Sequence, residues 1–209
     1  MAVVDVRGDP PSPSGLAAAA AVLRAGGLAG VPTDTVYGLA ADPFRGGATD
    51  RLFKLKGRPR SVELPVLVAS VAQARELATN VPAAAERLMA RYWPGALTVV
   101  LPRRPDLNAD LGMDDETIGL RCPAHPVPRA LCADVGPLAT TSANRHGAPP
   151  ATTAAEVLEA VGGNTLDIVL DGGTCAGRPS TVVDCTGAEP RLLREGAVPW
   201  SEVLATARG

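Results

Sequence analysis

Leu138-Ala139-Thr140-Thr141-Ser142-Ala143-Asn144 reads as a short apolar strand, Leu138 to Thr141, that runs out into small hydroxyl and amide side chains. Helical patterns flank it. Pro126 to Val135 precedes it, and the capping box Thr153-Ala154-Ala155-Glu156 opens a helix to Val161 behind it. Downstream come three strands, Asp167 to Leu170, Thr181 to Asp184 and Arg191 to Arg194, then a helix from Trp200 to Ala207. Upstream, Thr117 to Arg121 alternates as a strand, Asp106 to Glu116 is a polar loop, and Ala96 to Leu101 is a strand. Pro82 to Tyr92 is a helix with proline in its first turn, ended by Trp93-Pro94-Gly95. Before it, Pro65 to Ala69 is a buried strand, and the capping box Ser70-Val71-Ala72-Gln73 starts a helix to about Ala78. Nearer the start lie an apolar stretch at Val3 to Val6, a helix from Gly15 to Ala25 stopped by Gly26-Gly27, and a strand from Leu28 to Pro32. Thr49 to Leu55 follows with helical spacing that turns Leu52 and Phe53 inward, and Pro59 ends it.

Strands and helices therefore interleave from end to end, which predicts one α/β domain over 1–209 with a twisted sheet of mixed parallel and antiparallel strands flanked by helices. The chain is long enough to bury a core unaided, and 46% hydrophobic against 20% charged residues is the balance of an ordinary folded domain. Its longest apolar run, Leu16 to Leu23, falls far short of the roughly 20 residues of a membrane-spanning helix. With Asp5 and Asp9 near the start in place of a basic leader, a cytoplasmic protein with no membrane partner is expected. A net charge of −2 and 3% aromatics argue against a dedicated nucleic-acid module, so any polyanion site must be local. Cys122, Cys132, Cys175 and Cys185 show no paired spacing and are expected to be buried reduced thiols. His125 and His146 read as surface residues outside any triad.

Three features carry chemistry. Arg51, Lys54, Lys56, Arg58 and Arg60 put five cations within ten residues of a slightly acidic chain, and Lys54 and Lys56 are its only lysines. A lysine supplies a mobile point charge and an arginine a rigid fork, so Lys56 and Arg58 suit a phosphate; a solvated helix end complementing the helix dipole is the plainer alternative. The hydroxyls and carboxamide at 140–144 sit at the carboxyl end of a strand, where open α/β sheets bind ligands, though the same residues also stabilise turns. Pro32-Thr33-Asp34-Thr35-Val36-Tyr37-Gly38 repeats the pattern, and Arg121 and Arg194 each close an apolar strand on a face that periodicity leaves open. Standard nucleotide loops, nucleophile elbows and histidine pairs are absent from the sequence.

The run Pro32 to Leu39, Lys56-Gly57-Arg58-Pro59, Trp93-Pro94-Gly95 with Leu97-Thr98, Gly119-Leu120-Arg121-Cys122-Pro123, Thr141-Ser142-Ala143-Asn144 and Ser180-Thr181-Val182-Val183-Asp184, in that order and spacing, closely resembles the YrdC/TsaC family of threonylcarbamoyl-AMP synthases. The resemblance covers about 15–198, the expected core of the domain. It implies a YrdC-like fold around a deep positive cavity and a reaction of ATP, L-threonine and bicarbonate that gives threonylcarbamoyl-AMP and pyrophosphate, with Mg²⁺ accompanying ATP. It also implies a place in tRNA modification, with transfer to tRNA made by a separate threonylcarbamoyl-transferase complex, and the single-domain form of the family. Carried over, Lys56 and Arg58 are the catalytic phosphate-holding pair, with Thr117, Thr141, Ser142, Asn144 and Arg194 completing the ATP site. Thr35, Tyr37, Arg121 and Ser180 would take threonine, with Thr181 replacing Ser180 after a one-residue shift. Protein side chains are expected to hold no metal. The chain departs from the family at His146, where serine is usual, and in a slightly longer Arg60 to Leu64 loop. The 56–58 cations are expected to face the 141–144 turn across a space sized for a triphosphate. Two rival readings are a non-catalytic double-stranded RNA binder using the same cavity and an enzyme that adenylates carbamoyl phosphate without threonine.

Overall fold

In chain order the elements are β1 (Ala2–Asp5), α1 (Pro13–Arg24), β2 (Ala29–Val31), β3 (Gly38–Ala41), α2 (Ala48–Lys56), β4 (Val66–Leu67), α3 (Val71–Arg75), α4 (Ala83–Tyr92), β5 (Leu97–Pro102), β6 (Thr117–Arg121), α5 (Pro126–Asp134), β7 (Leu138–Ser142), α6 (Ala154–Val161), β8 (Ile168–Asp171), β9 (Thr181–Asp184), β10 (Arg191–Arg194) and α7 (Trp200–Arg208). They come from a computed structural model that describes residues 2–113, 116–144, 147–162 and 165–209. His146 and the acidic pair Asp114 and Asp115 lie outside the described residues.

The helices start where side chains satisfy their free N–H groups. Ser12 accepts from Gly15, Ser70 from Gln73 and Thr153 from Glu156. Such caps contribute about 1 kcal/mol each. Four sequence expectations need correction. Pro82 is the N-cap residue of α4 and stands outside its first turn. The Ser70 helix stops at Arg75. Gly57, at φ 58°, ends α2 in the left-handed conformation open to glycine, two residues before Pro59. His125 is half-buried and caps α5, its Nδ1 accepting from the Val127 N–H.

All ten strands join one sheet in the order β1-β8-β2-β3-β7-β4-β6-β5-β9-β10. β1 and β2 run parallel to β8, β4 to β6 and β5 to β9, while the remaining neighbours are antiparallel, so the sheet is mixed as expected. One buried cluster joins Ala19, Ala20 and Leu23 of α1 to Val127, Leu131 and Cys132 of α5 over the β1–β8–β2 end. A larger one joins Leu52 and Phe53 of α2, Leu88 and Met89 of α4, Val157 of α6 and Val203 of α7 to the central strands. Cys122, Cys132 and Cys185 are buried free thiols, whereas Cys175 is only half-buried, a correction to the expected set of four. No helix among the described residues is long and apolar enough to cross a membrane.

One pairing shapes everything that follows. β3, a strand that the sequence reading passes over, lies antiparallel to β7 with Gly38 opposite Ser142 and Leu39 opposite Thr141. The two hydroxyl-rich motifs, a hundred residues apart, are thereby laid side by side.

Candidate functional site

Strand alternation builds the site. In β6, Ile118 and Leu120 enter the core while Thr117, Gly119 and Arg121 face the other way; in β5, Leu97, Val99 and Leu101 are core and Thr98 and Val100 are not. Those outward residues, with Val182 of β9 and Thr140 to Ser142 of β7, line a cavity of about 430 Å³. That volume falls within the range of small-ligand pockets. Gly119 opens its floor.

At one end stands Arg121, 7% exposed. Its Nε donates to the Gly95 carbonyl (3.0 Å), its Nη1 to Thr35 Oγ1 (2.9 Å) and its Nη2 to Asp34 Oδ1 (2.8 Å). Arginine accepts nothing, so the Thr35 hydroxyl must donate onward to Thr33 Oγ1 at 2.9 Å, and Thr33 in turn to the Val36 carbonyl at 2.6 Å. This relay fixes the 33–36 turn. Burial pulls the Arg121 pKa down and the Asp34 charge pulls it back up.

Along the wall, the Ser180 hydroxyl meets Thr98 Oγ1 at 2.9 Å and receives Nη2 of Arg194 at 3.2 Å, while the Ser180 carbonyl takes the Arg194 fork at 2.9 and 3.2 Å. Thr181 points the other way. Its hydroxyl donates to the Val198 carbonyl and receives the Gly196 and Val198 N–H groups, a full set that leaves Ser180 as the residue of the pair on the cavity.

At the other end Arg58 and Arg194 both line the cavity with lowered pKa values. Burial is the main cause for both guanidinium groups, with the Arg194 charge adding to the shift of Arg58. Arg58 is steadied by the Val62 carbonyl (2.8 Å) and the Glu63 carbonyl (2.5 Å), both from the loop after α2. Lys56 lies beside them and donates to the carbonyls of Ser142 (2.8 Å) and Asn144 (2.6 Å) and to Asn144 Oδ1, which also receives the Ser142 hydroxyl. The expected gap between 56–58 and 141–144 is therefore corrected: Lys56 already spans it, clasping the turn, and the open space lies alongside, under Arg58 and Arg194. Burial, reinforced by Arg58, lowers the Lys56 pKa from 10.5 to about 8. Cations gathered in a concavity repel one another, and a polyanion would relieve that repulsion.

The lysine titration has a measurable sign. A phosphate ligand selects the ammonium form, so ATP affinity should hold steady below about pH 7 and weaken as pH rises through about 8, with the slope lost in Lys56→Ala; calorimetric titration without threonine reads this directly. In folding, the unfolded lysine holds a proton between pH 8 and 10.5 that the folded one releases, so this group's contribution to stability rises with pH across that window.

Thr35, Arg121, Ser180, Thr117, Thr141, Ser142, Arg58 and Arg194 thus line one cavity, and Lys56 and Asn144 brace its edge. Tyr37 is fully buried as part of the wall; its phenol donates to the Gly173 carbonyl and receives the Gly172 N–H, and burial raises its pKa to about 12. Of the five-cation cluster, the other three turn elsewhere. Arg51 pairs with Asp167, Arg60 with Asp50 and Asp110 while lying over the Phe53 ring, and Lys54 is exposed. Three contributors escaped the sequence reading: Asp34 behind Arg121, Gly119 in the floor, and Glu63, whose Oε2 receives the Thr117 hydroxyl at the rim.

Comparison with known proteins places the sequence and the fold in one family. The sequence model of the Sua5_yciO_yrdC family, described as telomere recombination, matches residues 21–196. The chain is 41% identical over 190 residues to a "Putative threonylcarbamoyl-AMP synthase" of Mycobacterium tuberculosis, spanning 90% of this chain and 87% of that one. It is 39% identical over 192 residues to the threonylcarbamoyl-AMP synthase of Bacillus subtilis, spanning 91% of this chain but 56% of the relative. The crystal structure of P. abyssi Sua5 complexed with L-threonine superposes with a TM-score of 0.88 at 36% identity, covering 98% of this chain and 60% of that one.

Proposed function

The chain belongs to the Sua5/YciO/YrdC family, and from that premise we propose that it is an L-threonylcarbamoyladenylate synthase, which joins ATP, L-threonine and bicarbonate and releases pyrophosphate and water. The observation that carries this reading is one cavity with two differently built ends: a single braced guanidinium, Arg121, at one, and the Arg58, Arg194 and Lys56 group at the other. The first suits one carboxylate and the second a triphosphate.

The threonine amine takes up bicarbonate with loss of water to give a carbamate. The carbamate oxygen then attacks the α-phosphorus, and pyrophosphate leaves with the electron pair of the broken P–O bond. No side chain of the protein need become bonded to either reactant. Arg121, with Thr35 and Ser180, fixes the amino acid, and Tyr37 closes the wall behind it. Thr117, Thr141, Ser142 and Asn144 hold the nucleotide, and Lys56, Arg58 and Arg194 take the charge that builds on the leaving phosphates. Positioning of this kind contributes of order 7–11 kcal/mol, and preorganised cations in a dry cavity add to it. Mg²⁺ would enter with ATP. It prefers phosphate and water oxygens with one or two carboxylates, and Glu63 is the acidic group among the described lining residues that could reach it.

The product is a reactive mixed anhydride, suited to supply a cytoplasmic transferase complex that modifies the adenosine next to the anticodon of tRNA. Double-stranded RNA as the main ligand fits less well, because the charge is gathered inside the cavity while Arg7, Arg24, Arg75, Arg104 and Arg191 outside it are paired with carboxylates.

Incubation with ATP, Mg²⁺, bicarbonate and threonine should release pyrophosphate only when threonine is present. Release driven by carbamoyl phosphate without threonine, or none at all, would overturn the assignment.

A further inference from the structure

Arg121 is almost fully enclosed, and a guanidinium in that position is costly unless its charge is met and its N–H groups are placed. Asp34 does both jobs from outside the cavity. Its carboxylate, 18% exposed, does not line the pocket. Its Oδ1 receives Arg121 Nη2 at 2.8 Å and the backbone N–H of Ala124 at 3.0 Å, so it is tied at once to the last residue of β6 and to the turn that follows. The neighbouring Thr35 hydroxyl fixes Nη1 and the Gly95 carbonyl fixes Nε.

Three of the five guanidinium N–H groups are thus spoken for by two segments, the 34–35 turn and Gly95, and one remains on each terminal nitrogen. Those two donors match the two oxygens of a carboxylate. Asp34 and Thr35 are adjacent in sequence, so their pull on Nη2 and Nη1 comes from one short turn, itself stapled by Thr33. A shift of that turn would swing both terminal nitrogens together.

We propose that Asp34 is a positioning residue for the amino-acid substrate: through its contact with Arg121 and its anchor on Ala124 it aims the two remaining guanidinium donors at the substrate carboxylate. This rests on the assignment of threonine to the Arg121 end. Asp34 acts on Arg121 and Ala124, whereas of the phosphate-end cations Arg194 also reaches toward Arg121, its fork resting on Ser180 and its charge lowering the Arg121 pKa.

The test is a set of Asp34 variants read for each substrate separately. Asp34→Asn keeps the shape and an acceptor oxygen but removes the charge. It should lower kcat/KM for threonine by about 10²-fold, the size of effect that follows from misplacing a substrate by an ångström. The ATP dissociation constant should stay at the wild-type value. Asp34→Glu, which restores the charge one methylene further out, should regain part of the loss. An unchanged threonine kcat/KM in Asp34→Asn, an equal loss for ATP and threonine, or no recovery in Asp34→Glu would each overturn the proposal. If Asp34→Asn fails to fold, Asp34→Glu decides alone: a raised threonine KM with unchanged ATP affinity supports it, and a wild-type threonine KM overturns it. A wild-type protein that binds ATP but takes up no threonine would overturn the parent assignment as well, whereas threonine uptake insensitive to Asp34 overturns this inference alone.

Discussion

Replacing Lys56 with alanine should lower threonine-dependent pyrophosphate release by at least about 10²- to 10³-fold, the usual cost of deleting one preorganised charge stabiliser. The effect has two sources. The ammonium is the compact charge at the phosphate end, and it also clasps Ser142 and Asn144, so its removal loosens the turn meant to hold the nucleotide. The fold should survive, because α2 is anchored by Leu52 and Phe53 and stopped by Gly57, none of which depends on the Lys56 head group. Lys56→Arg should recover little, since a planar fork cannot take the place of a point donor among three converging oxygens. Steady-state pyrophosphate release together with a thermal melt checks both halves. An unchanged rate in a folded Lys56→Ala protein would remove the phosphate role.

The second large effect is expected from filling the cavity. Gly119 sits in the floor with an ordinary strand backbone, and a Cβ there would meet the Pro65 Cβ at 3.6 Å and the Thr98 methyl at 3.7 Å, plain van der Waals contacts. Gly119→Ala should therefore be tolerated and slightly stabilising in a strand. Gly119→Leu should fold as well, because its branched end projects into open space. It should nonetheless lose binding of ATP and threonine together, as its side chain occupies the ground between the two ends. Calorimetry on the folded variant reads the outcome. Retention of both ligands would show that they bind somewhere other than this cavity.

These two cases mark what the sequence could and could not reveal. Lys56 stood out as one of two lysines in the chain, and its partner turn as a knot of hydroxyls, so both ends of that contact were legible. Gly119 was not, because a glycine inside a strand carries no sign of the cavity above it; its meaning comes from Pro65, just before β4, and Thr98 on β5, neighbours that only the sheet order supplies. The same holds for Arg121. Its parity against Ile118 and Leu120 was visible, but whether the opposite face met water or a cavity depended on β4 and β9 lying where they do. β3 was missed because Gly38-Leu39-Ala40-Ala41 lacks the β-branched and aromatic residues that mark strands; burial on both faces and pairing to β2 and β7 override that weak propensity. Asp34 was hidden inside a motif whose hydroxyls drew attention, and its part emerged from an 87-residue separation closed by the fold. In the five-cation cluster, charge alone exaggerated the site: on helix α2 Arg51 turns to Asp167 while Lys56 reaches the 142–144 turn, and beyond Gly57 Arg58 lines the cavity while Arg60 pairs with Asp50 and Asp110.

The central claim is that one cavity brings an amino-acid carbamate against the α-phosphate of ATP. The most direct measurement is a mass spectrum of the products from ATP, Mg²⁺, threonine and ¹³C-bicarbonate. The account predicts a threonine-containing AMP adduct that carries the heavy carbon, formed in step with pyrophosphate. A nucleotide product without the label, or pyrophosphate with no such adduct at any time, would contradict it.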